Sequence, residues 1–236
     1  MEEWKRPTNC QKGFIAAMMQ DISWLDPVVD AHKKYFVEKA FRIIDVGSRD
    51  GDDAQWLLSQ LGDEDECKVI CIEAREAAAL EIRNKYPNFA VFQTAVSNFI
   101  GEAKFVQMND PEFLGSSSLE LVRANAYPIE STLIDVPVTR LDAIIEPGII
   151  DILKIDVEGH SVPTIEGMGS LIKDVLVAHI ETETPERSAW GEPSNNLKVI
   201  EIMQDLGFCL ANVSYQWGWS IQDQTWVNTK HERYRN

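Results

Sequence analysis

Short apolar runs alternate with helix-like segments along most of the chain. Strands are predicted at 41–47, 67–74, 88–97, 151–157, 175–183, 208–214 and 225–229, and helices at 52–62, 75–87, 161–173 and 195–206. Residues 134–145 are predicted to form a strand that runs into a short helix. Parallel strands need a crossover connection, which a helix usually provides. The alternation therefore predicts an α/β fold, with a doubly wound, mostly parallel sheet covered by helices on both faces.

Three segments stand apart from this alternation. The pattern from Phe14 to about Ala40 is helical and is interrupted at Asp26-Pro27, which predicts an N-terminal helical extension over 1–40 before a main domain over 41–236. Residues 101–108 resemble an added β-hairpin arm, and the polar stretch 109–119 is expected to form a loop.

The charge and the cysteines limit the kinds of partner that we expect. There are 38 Asp and Glu residues against 22 Lys and Arg, a net charge of −16, which argues against nucleic acid or an anionic membrane as the main partner. The first residues form no signal or transit peptide pattern, and no run is long enough to span a membrane. Cys67 and Cys71 are expected to be buried thiols, so we expect a cytoplasmic protein.

The first predicted strand ends in the pattern Asp45-x-Gly47-x-x-x-Gly51. Glycines at such a turn let a ligand approach the backbone, and amide groups at the following helix start are free to bind it. A dinucleotide-binding turn would begin with Gly, not with Asp45. A carboxylate there favours a positively charged cofactor such as S-adenosylmethionine (SAM), although a nicotinamide cofactor remains the alternative.

Glu73 ends the second predicted strand, where the ribose of a nucleoside cofactor would lie. Its carboxylate could accept hydrogen bonds from both ribose hydroxyls. An acidic residue at this spacing also occurs in dinucleotide-binding proteins, so Glu73 indicates a nucleoside without deciding which one. The structural alternative is that Asp45 caps the turn and Glu73 is a solvated strand end.

The stretch "DILKIDVEGH" places Lys154, Asp156 and Glu158 at a period of two within an apolar strand. In a doubly wound sheet this strand would lie beside the first strand, and Glu181 would reach the same edge from the next strand. Buried carboxylates are costly unless they are paired, and Lys154 is the available cation. The cluster indicates either an active site with shifted pKa values or a structural ion-pair network.

Several segments occur together in the order seen in one family of enzymes. "IIDVGSRDG", "CIEAREAAAL", "GSSSL", "VPVTRLDAII" and "DILKIDVEGH", followed by "LGF" and "TWVN", resemble the FkbM family of SAM-dependent methyltransferases over residues 41 to 229. The resemblance implies a seven-stranded Rossmann-like fold, SAM as methyl donor and a hydroxyl group as acceptor. The positions that it assigns to cofactor binding are Asp45, Gly47, Ser48, Arg49, Gly51, Glu73, Ala74, Thr94, Ala95, Ser117 and Ser118.

Asp156 stands where such enzymes keep a residue beside the transferred methyl group. The chain departs from the family pattern after "VEG", where His160 and Ser161 replace a small residue and Glu. His160 could be a base, an acceptor contact or an exposed residue at a helix start. The catalytic candidates are Asp156, Lys154, Glu158, His160 and Glu181, with Asp156 or His160 preferred as the base.

The acceptor is expected to be a small hydroxylated metabolite, such as a sugar or polyketide. His179 and Glu181 could join Asp156 in holding a divalent metal, but His179 lies in an apolar strand and no metal site is assigned. Trp190, Trp217 and Trp219 could line the acceptor pocket, cover a core edge or form a homodimer contact. A nicotinamide-dependent oxidoreductase and a non-catalytic binding module are the alternative functions.

Overall fold

A computed structural model of the chain describes residues 24–36, 39–109, 115–120, 130–184, 196–216 and 221–235. The strands are β1 (Arg42–Val46), β2 (Lys68–Glu73), β3 (Ala90–Gln93), β4 (Ala95–Val96), β5 (Gly101–Met108), β6 (Ser131–Thr139), β7 (Ile150–Ile155), β8 (Val175–Glu183), β9 (Phe208–Gln216) and β10 (Ile221–Asn228). The α-helices are α1 (Asp26–Tyr35), α2 (Asp52–Leu61), α3 (Glu76–Lys85), α4 (Leu141–Ile144), α5 (Ser161–Glu166) and α6 (Asn196–Asp205).

Seven strands form the main sheet in the order β3-β2-β1-β7-β8-β10-β9. The first five are parallel, while β10 is antiparallel to both β8 and β9. The strand order reverses between β1 and β7, and the carboxyl ends of these strands form the crevice where α/β proteins bind ligands. The doubly wound, mostly parallel sheet predicted from the sequence is confirmed.

Apolar side chains fill both faces of this sheet. Every residue of β7 and of β8 is buried, as expected for central strands covered by helices on both sides. One core includes Ile44, Leu153 and the fully buried Trp226, and the other packs α1 and α2 against Ile43 and Ile152. This burial explains why the strands appear in the sequence as nearly continuous apolar runs.

The strand predicted over 88–97 is two strands in two sheets. The chain leaves the main sheet at Thr94, whose hydroxyl donates a hydrogen bond to the carbonyl of Pro137 at 3.0 Å. β4 then pairs with β6, and β5 pairs antiparallel with β6, so that a three-stranded sheet forms in the order β4-β6-β5. The arm predicted at 101–108 is therefore a strand, but residues 109–130 separate it from its partner.

The helix predicted over 161–173 is shorter than expected. α5 ends at Glu166, and a 3₁₀ helix follows over Gly169–Asp174. Gly169 has φ +52°, in the left-handed region that interrupts a helix and favours glycine. The glycine pattern "EGMGS" was the available signal for this break.

Helix α1 begins at Asp26, where the sequence predicted an interruption of a longer N-terminal helix. Proline is tolerated in the first turn of a helix because the amide hydrogen it lacks has no partner there, so Asp26-Pro27 starts α1. Leu25 and Val28 are buried in the core beneath the sheet. Residues 14–23 of the predicted helix lie outside the described part of the chain, and the boundary at residue 40 stays a prediction.

Asp151 fastens α1 and the start of β1 to the sheet. Its carboxylate accepts hydrogen bonds from the amides of Phe41 and Arg42, both at 3.0 Å, and lies 3.5 Å from His32 Nε2. His32 and Asp151 are both almost fully buried.

Among the described helices, each is too short or too polar to cross a bilayer.

Replacement of Asp151 by Ala should destabilise the fold strongly. The substitution leaves two backbone amides without their acceptor, and an unsatisfied buried group costs about 1–3 kcal/mol. We expect a loss of about 2–4 kcal/mol in the free energy of unfolding, measured by urea denaturation. Asp135→Ala, which removes the exposed pair with Lys104, is the control and should change stability by less than about 1 kcal/mol. Equal effects of the two substitutions would contradict this role for Asp151.

Candidate functional site

The turn after β1 needs glycine at its first position. Gly47 has φ +80°, and a Cβ atom placed there would lie 1.7 Å from the carbonyl oxygen of Asp156. The loop that follows β7 therefore packs directly on the β1 turn, with the Asp156 amide donating to Val46 O at 2.9 Å. This close approach brings the two predicted motifs, "DVGSRDG" and "KIDVEGH", to one place.

Ser48 and Gly51 shape this turn from below. The Ser48 hydroxyl donates to Asp45 O at 2.7 Å and accepts from the Ile72 amide at 3.1 Å, which ties the turn to β2. Gly51 has φ +79° and precedes the first residue of α2. Both residues were predicted cofactor contacts; the structure gives them positions in the turn, and a contact with cofactor stays a prediction.

Glu73 lies at the end of β2, as predicted, and is almost completely buried. Its Oε1 accepts hydrogen bonds from the amide and Nε of Arg75 at 2.9 and 3.0 Å, and its Oε2 accepts from the Arg49 amide at 2.9 Å. A carboxylate oxygen has two lone pairs. Oε1 is therefore saturated, and Oε2 has one remaining place for a ligand hydroxyl.

A cleft opens at the carboxyl ends of β1, β2, β3 and β7. Predicted cofactor residues that line it are Gly47, Arg49, Glu73, Ala74, Thr94, Ala95 and Ser117, and they are joined by the catalytic candidates Asp156 and His160. Apolar walls come from Ile72, Val96, Phe105 and Leu119. Apolar surfaces beside one carboxylate acceptor suit a purine nucleoside, so the residues present fit SAM.

The ammonium group of Lys154 is the centre of an ion cluster under this cleft. Its Nζ lies 3.3 Å from Asp45 Oδ1, 3.2 Å from Asp53 Oδ2 and 3.2 Å from Asp156 Oδ2. The side chain is 1% exposed, and the ring of Trp24 faces the ammonium at 5.4 Å. Lys154 therefore has three carboxylate partners and does not itself line the cleft.

Burial and charge shift the pKa values within this cluster. Burial raises the pKa of Asp45 to about 6, against the attraction of Lys154. Burial alone would lower the pKa of Lys154, but the charges of Asp45, Asp156 and Asp53 outweigh it and raise that pKa well above its usual value. Lys154 thus remains a cation, although it is buried.

Asp45 is fully buried under the turn, and its Oδ2 has no hydrogen-bond partner among the described residues. Asp45 therefore pairs with Lys154 beneath the cleft and does not cap the turn. Asp53, in the first turn of α2, was not predicted as a site residue. The acidic run "DGDD" was the available signal for it.

A second group of carboxylates lies beside the cluster, on the side of β8. Carboxylate oxygens of Asp156, Glu158 and Glu181 all lie within 4.8 Å of one another. Asp223 of β10 is in register with Glu181. Burial, followed by the charges of Asp156 and Glu158, raises the pKa of Glu181 well above its usual value. This set, defined as the acidic edge (Asp156, Glu158 and Glu181), unites three of the predicted catalytic residues.

His179 is a core residue. Its Nδ1 lies 3.1 Å from Thr225 Oγ1, its ring packs against Trp24, and burial lowers its pKa to about 3. The interpretation of His179 as a buried core histidine is thus confirmed by its position.

Residues 115–120, which we call the cover segment, lie over the cleft. The Ser118 hydroxyl donates to Glu158 O at 2.5 Å, and Ser118 pairs with Val106 through the backbone. Glu120 Oε1 lies 2.6 Å from His160 Nδ1, while His160 Nε2 lies 3.0 Å from Ser97 Oγ. The cover segment is therefore fastened to the loop after β7 at two points.

His160 is not an exposed residue at a helix start, because its side chain is only 12% exposed and both ring nitrogens have partners. Sequence reasoning did not identify Glu120 or Ser97, whose contacts with His160 span 40 and 63 residues. The tryptophans proposed for the acceptor pocket, Trp190, Trp217 and Trp219, lie outside the described residues.

Comparisons with known proteins agree with this geometry. The chain resembles a solved FkbM methyltransferase from Methylobacillus flagellatus KT with 13% identity and a TM-score of 0.52, over 80% of this chain and 43% of that one. It also resembles a putative rRNA-methylase from Clostridium thermocellum with 11% identity and a TM-score of 0.51, over 89% and 97% of the two chains. These likenesses show a shared fold. No curated protein matches the sequence.

A family model described as the methyltransferase FkbM domain matches residues 45–210, which is more than half of the chain. The matched residues begin at Asp45 and include the β1 turn, Glu73, the cover segment and the acidic edge. Methyl transfer that depends on SAM is the activity that this family implies. The resemblance predicted from the sequence motifs is thereby confirmed, and the chain belongs to the FkbM methyltransferase family.

Proposed function

We propose that this protein transfers a methyl group from SAM to a hydroxyl group of a small metabolite. The observation that carries the proposal is the acidic edge, which adjoins the cofactor cleft at Asp156. A hydroxyl group must lose its proton as it is methylated, and a carboxylate beside the cleft can accept that proton. The chain spans only 43% of the M. flagellatus protein. The acceptor and the partners of the present chain are therefore part of this proposal.

Residues of the cleft bind the cofactor. When bound, SAM supplies an electrophilic methyl group on a positively charged sulfonium. The free lone pair of Glu73 Oε2 accepts a hydrogen bond from a ribose hydroxyl, and the apolar walls near Phe105 and Leu119 enclose the base. Glu73, with one free position, holds one ribose hydroxyl and not the two expected from the sequence.

Asp156 is the residue common to the cleft and the acidic edge. The Lys154 ammonium lies 3.2 Å from Oδ2 of Asp156 and so orients the other carboxylate oxygen, Oδ1. Lys154 itself does not line the cleft. We assign to Asp156 the positioning of the acceptor hydroxyl and the acceptance of its proton, with carboxylate oxygens of Glu158 and Glu181 within 4.8 Å. Alignment of the acceptor oxygen with the methyl group supplies much of the rate of such a transfer.

A small acceptor fits the charge of the chain better than nucleic acid does. The net charge is −16, and the acidic edge would repel a phosphate backbone. The oxidoreductase alternative disagrees with the family to which the chain belongs. A non-catalytic binding module would retain the cleft without turnover, so a turnover assay separates it from an enzyme.

The proposed function is tested with SAM carrying an isotope-labelled methyl group and a panel of sugars, polyketide alcohols and amines. We expect label on the hydroxyl oxygen of at least one small acceptor, identified by mass spectrometry and NMR. Label found only on nitrogen or carbon would contradict O-methylation. Binding of SAM without transfer to any acceptor would support the non-catalytic module instead.

Glu73→Gln should weaken binding of S-adenosylhomocysteine, the demethylated cofactor. The substitution removes the charge that strengthens the hydrogen bond to the ribose, and a bond to a charged group contributes about 1.5–3 kcal/mol. We expect the Kd from calorimetry to rise about tenfold to a hundredfold. Glu76→Gln, an exposed position in the first turn of α3, is the matched control. An unchanged Kd for Glu73→Gln, in a variant that folds normally, would show that Glu73 does not bind the cofactor.

Glu120→Gln should loosen the cover segment. It weakens the contact with His160 Nδ1, one of the two points that fasten the segment over the cleft. We expect S-adenosylhomocysteine to dissociate about threefold to tenfold faster in stopped-flow measurements, since such changes act mainly on dissociation rates. Glu102→Gln, at an exposed position of β5, is the control. A dissociation rate equal to that of the control would show that the segment does not retain the cofactor.

A further inference from the structure

Arg75 contacts the carboxylate of Glu73 within the cofactor cleft. It stands two positions after Glu73, just before α3, and was not predicted as a site residue. Its side chain lines the cleft, although only 11% of that side chain is exposed. The Nε atom donates to Glu73 Oε1 at 3.0 Å, and the Arg75 amide donates to the same oxygen at 2.9 Å. One residue therefore occupies both lone pairs of Oε1.

Of the three donors to the Glu73 carboxylate, only the guanidinium depends on the identity of a side chain. The other two are the backbone amides of Arg75 and Arg49, which any residue except proline would supply. These amides belong to the start of α3 and to the β1 turn. The number of positions left for a ligand is therefore set by the side chain at position 75. Arginine leaves one position, and a side chain without a donor would leave two.

The pair of Arg75 and Glu73 is too well buried for a ribose hydroxyl to replace it readily. The side chains of Arg75 and Glu73 are 11% and 7% exposed, and the bond between them joins opposite charges. A hydroxyl is a neutral donor, so displacement would exchange an ion pair for a weaker bond. It would also leave a largely buried cation without its partner, which is costly. We therefore expect Arg75 to keep its place when the cofactor binds.

We propose that Arg75 is a specificity-determining residue, which limits Glu73 to one of the two ribose hydroxyls of the cofactor. The free position on Oε2 accepts one hydroxyl, and the occupied Oε1 accepts none. The ligands that fit the cleft then include analogues of SAM and of S-adenosylhomocysteine that lack the other hydroxyl. This inference rests on the proposed function, because it requires a cofactor of the SAM type in the cleft.

Two analogues of S-adenosylhomocysteine test the unaltered chain directly, one without the ribose 2′-hydroxyl and one without the 3′-hydroxyl. Calorimetry gives the Kd of each. Loss of the hydroxyl that Glu73 binds should raise the Kd about tenfold to a hundredfold, since a hydrogen bond to a charged group contributes that much. Loss of the other should change the Kd by less than about threefold, because no buried group loses its partner. A similar rise for both analogues, or no rise for either, would overturn the proposal.

Arg75→Met tests the residue itself. Methionine keeps an unbranched apolar stem in the cleft and removes the Nε donor, which frees the second lone pair of Oε1. In this variant we expect the loss of either hydroxyl to raise the Kd about fivefold or more. Arg83→Met removes an exposed arginine of α3 that donates to Val91 O, and this matched control should retain the preference for one hydroxyl. The same preference in Arg75→Met would contradict the role of Arg75.

Binding of S-adenosylhomocysteine itself separates failure of this inference from failure of the proposed function. If it binds and both hydroxyls contribute equally, Arg75 yields to the cofactor and only the inference fails. If it does not bind to the folded chain, the inference and the proposed function fail together. Should Arg75→Met not fold, the two analogues on the unaltered chain still decide the proposal.

Discussion

The ammonium group of Lys154 determines how the carboxyl ends of β1 and β7 can come together. Asp45 and Lys154 are register partners on these neighbouring strands, and each is almost completely buried. A buried carboxylate without a partner would be very costly, and so would a lone ammonium. Because Lys154 also reaches Asp53 on α2 and Asp156 in the loop after β7, one cation joins four elements beneath the cleft.

Two functional regions meet above this cluster. The cofactor cleft extends over the ends of β1, β2 and β3, and the acidic edge extends towards β8. Asp156 belongs to both, and the carbonyl of the same residue requires glycine at position 47. The backbone contact and the ion pair therefore fix one carboxylate between the two places where methyl donor and acceptor would bind.

The sequence predicted the parts of this site that depend on strand ends. Asp45, Gly47, Glu73, Lys154, Asp156 and Glu181 could be found because hydrophobic runs locate the strands and a parallel sheet brings their carboxyl ends to one edge. The alternation did not show where a strand changes sheet, so the exit at Thr94 was missed. Contacts made by side chains far apart in the sequence, such as Glu120 with His160 and Ser97, leave no periodic signal. The saturation of Glu73 Oε1 by Arg75 likewise depends on rotamers that no spacing reveals.

The central claim is that the cofactor binds across the strand ends that adjoin Asp156, under the cover segment. Hydrogen–deuterium exchange with and without S-adenosylhomocysteine tests it most directly, because amides that a ligand contacts or orders exchange more slowly. The account predicts protection at 47–51, 73–75, 94–97, 115–120 and 156–160, with little change on the far ends of the strands. Protection confined to other segments, or none at saturating ligand, would contradict it.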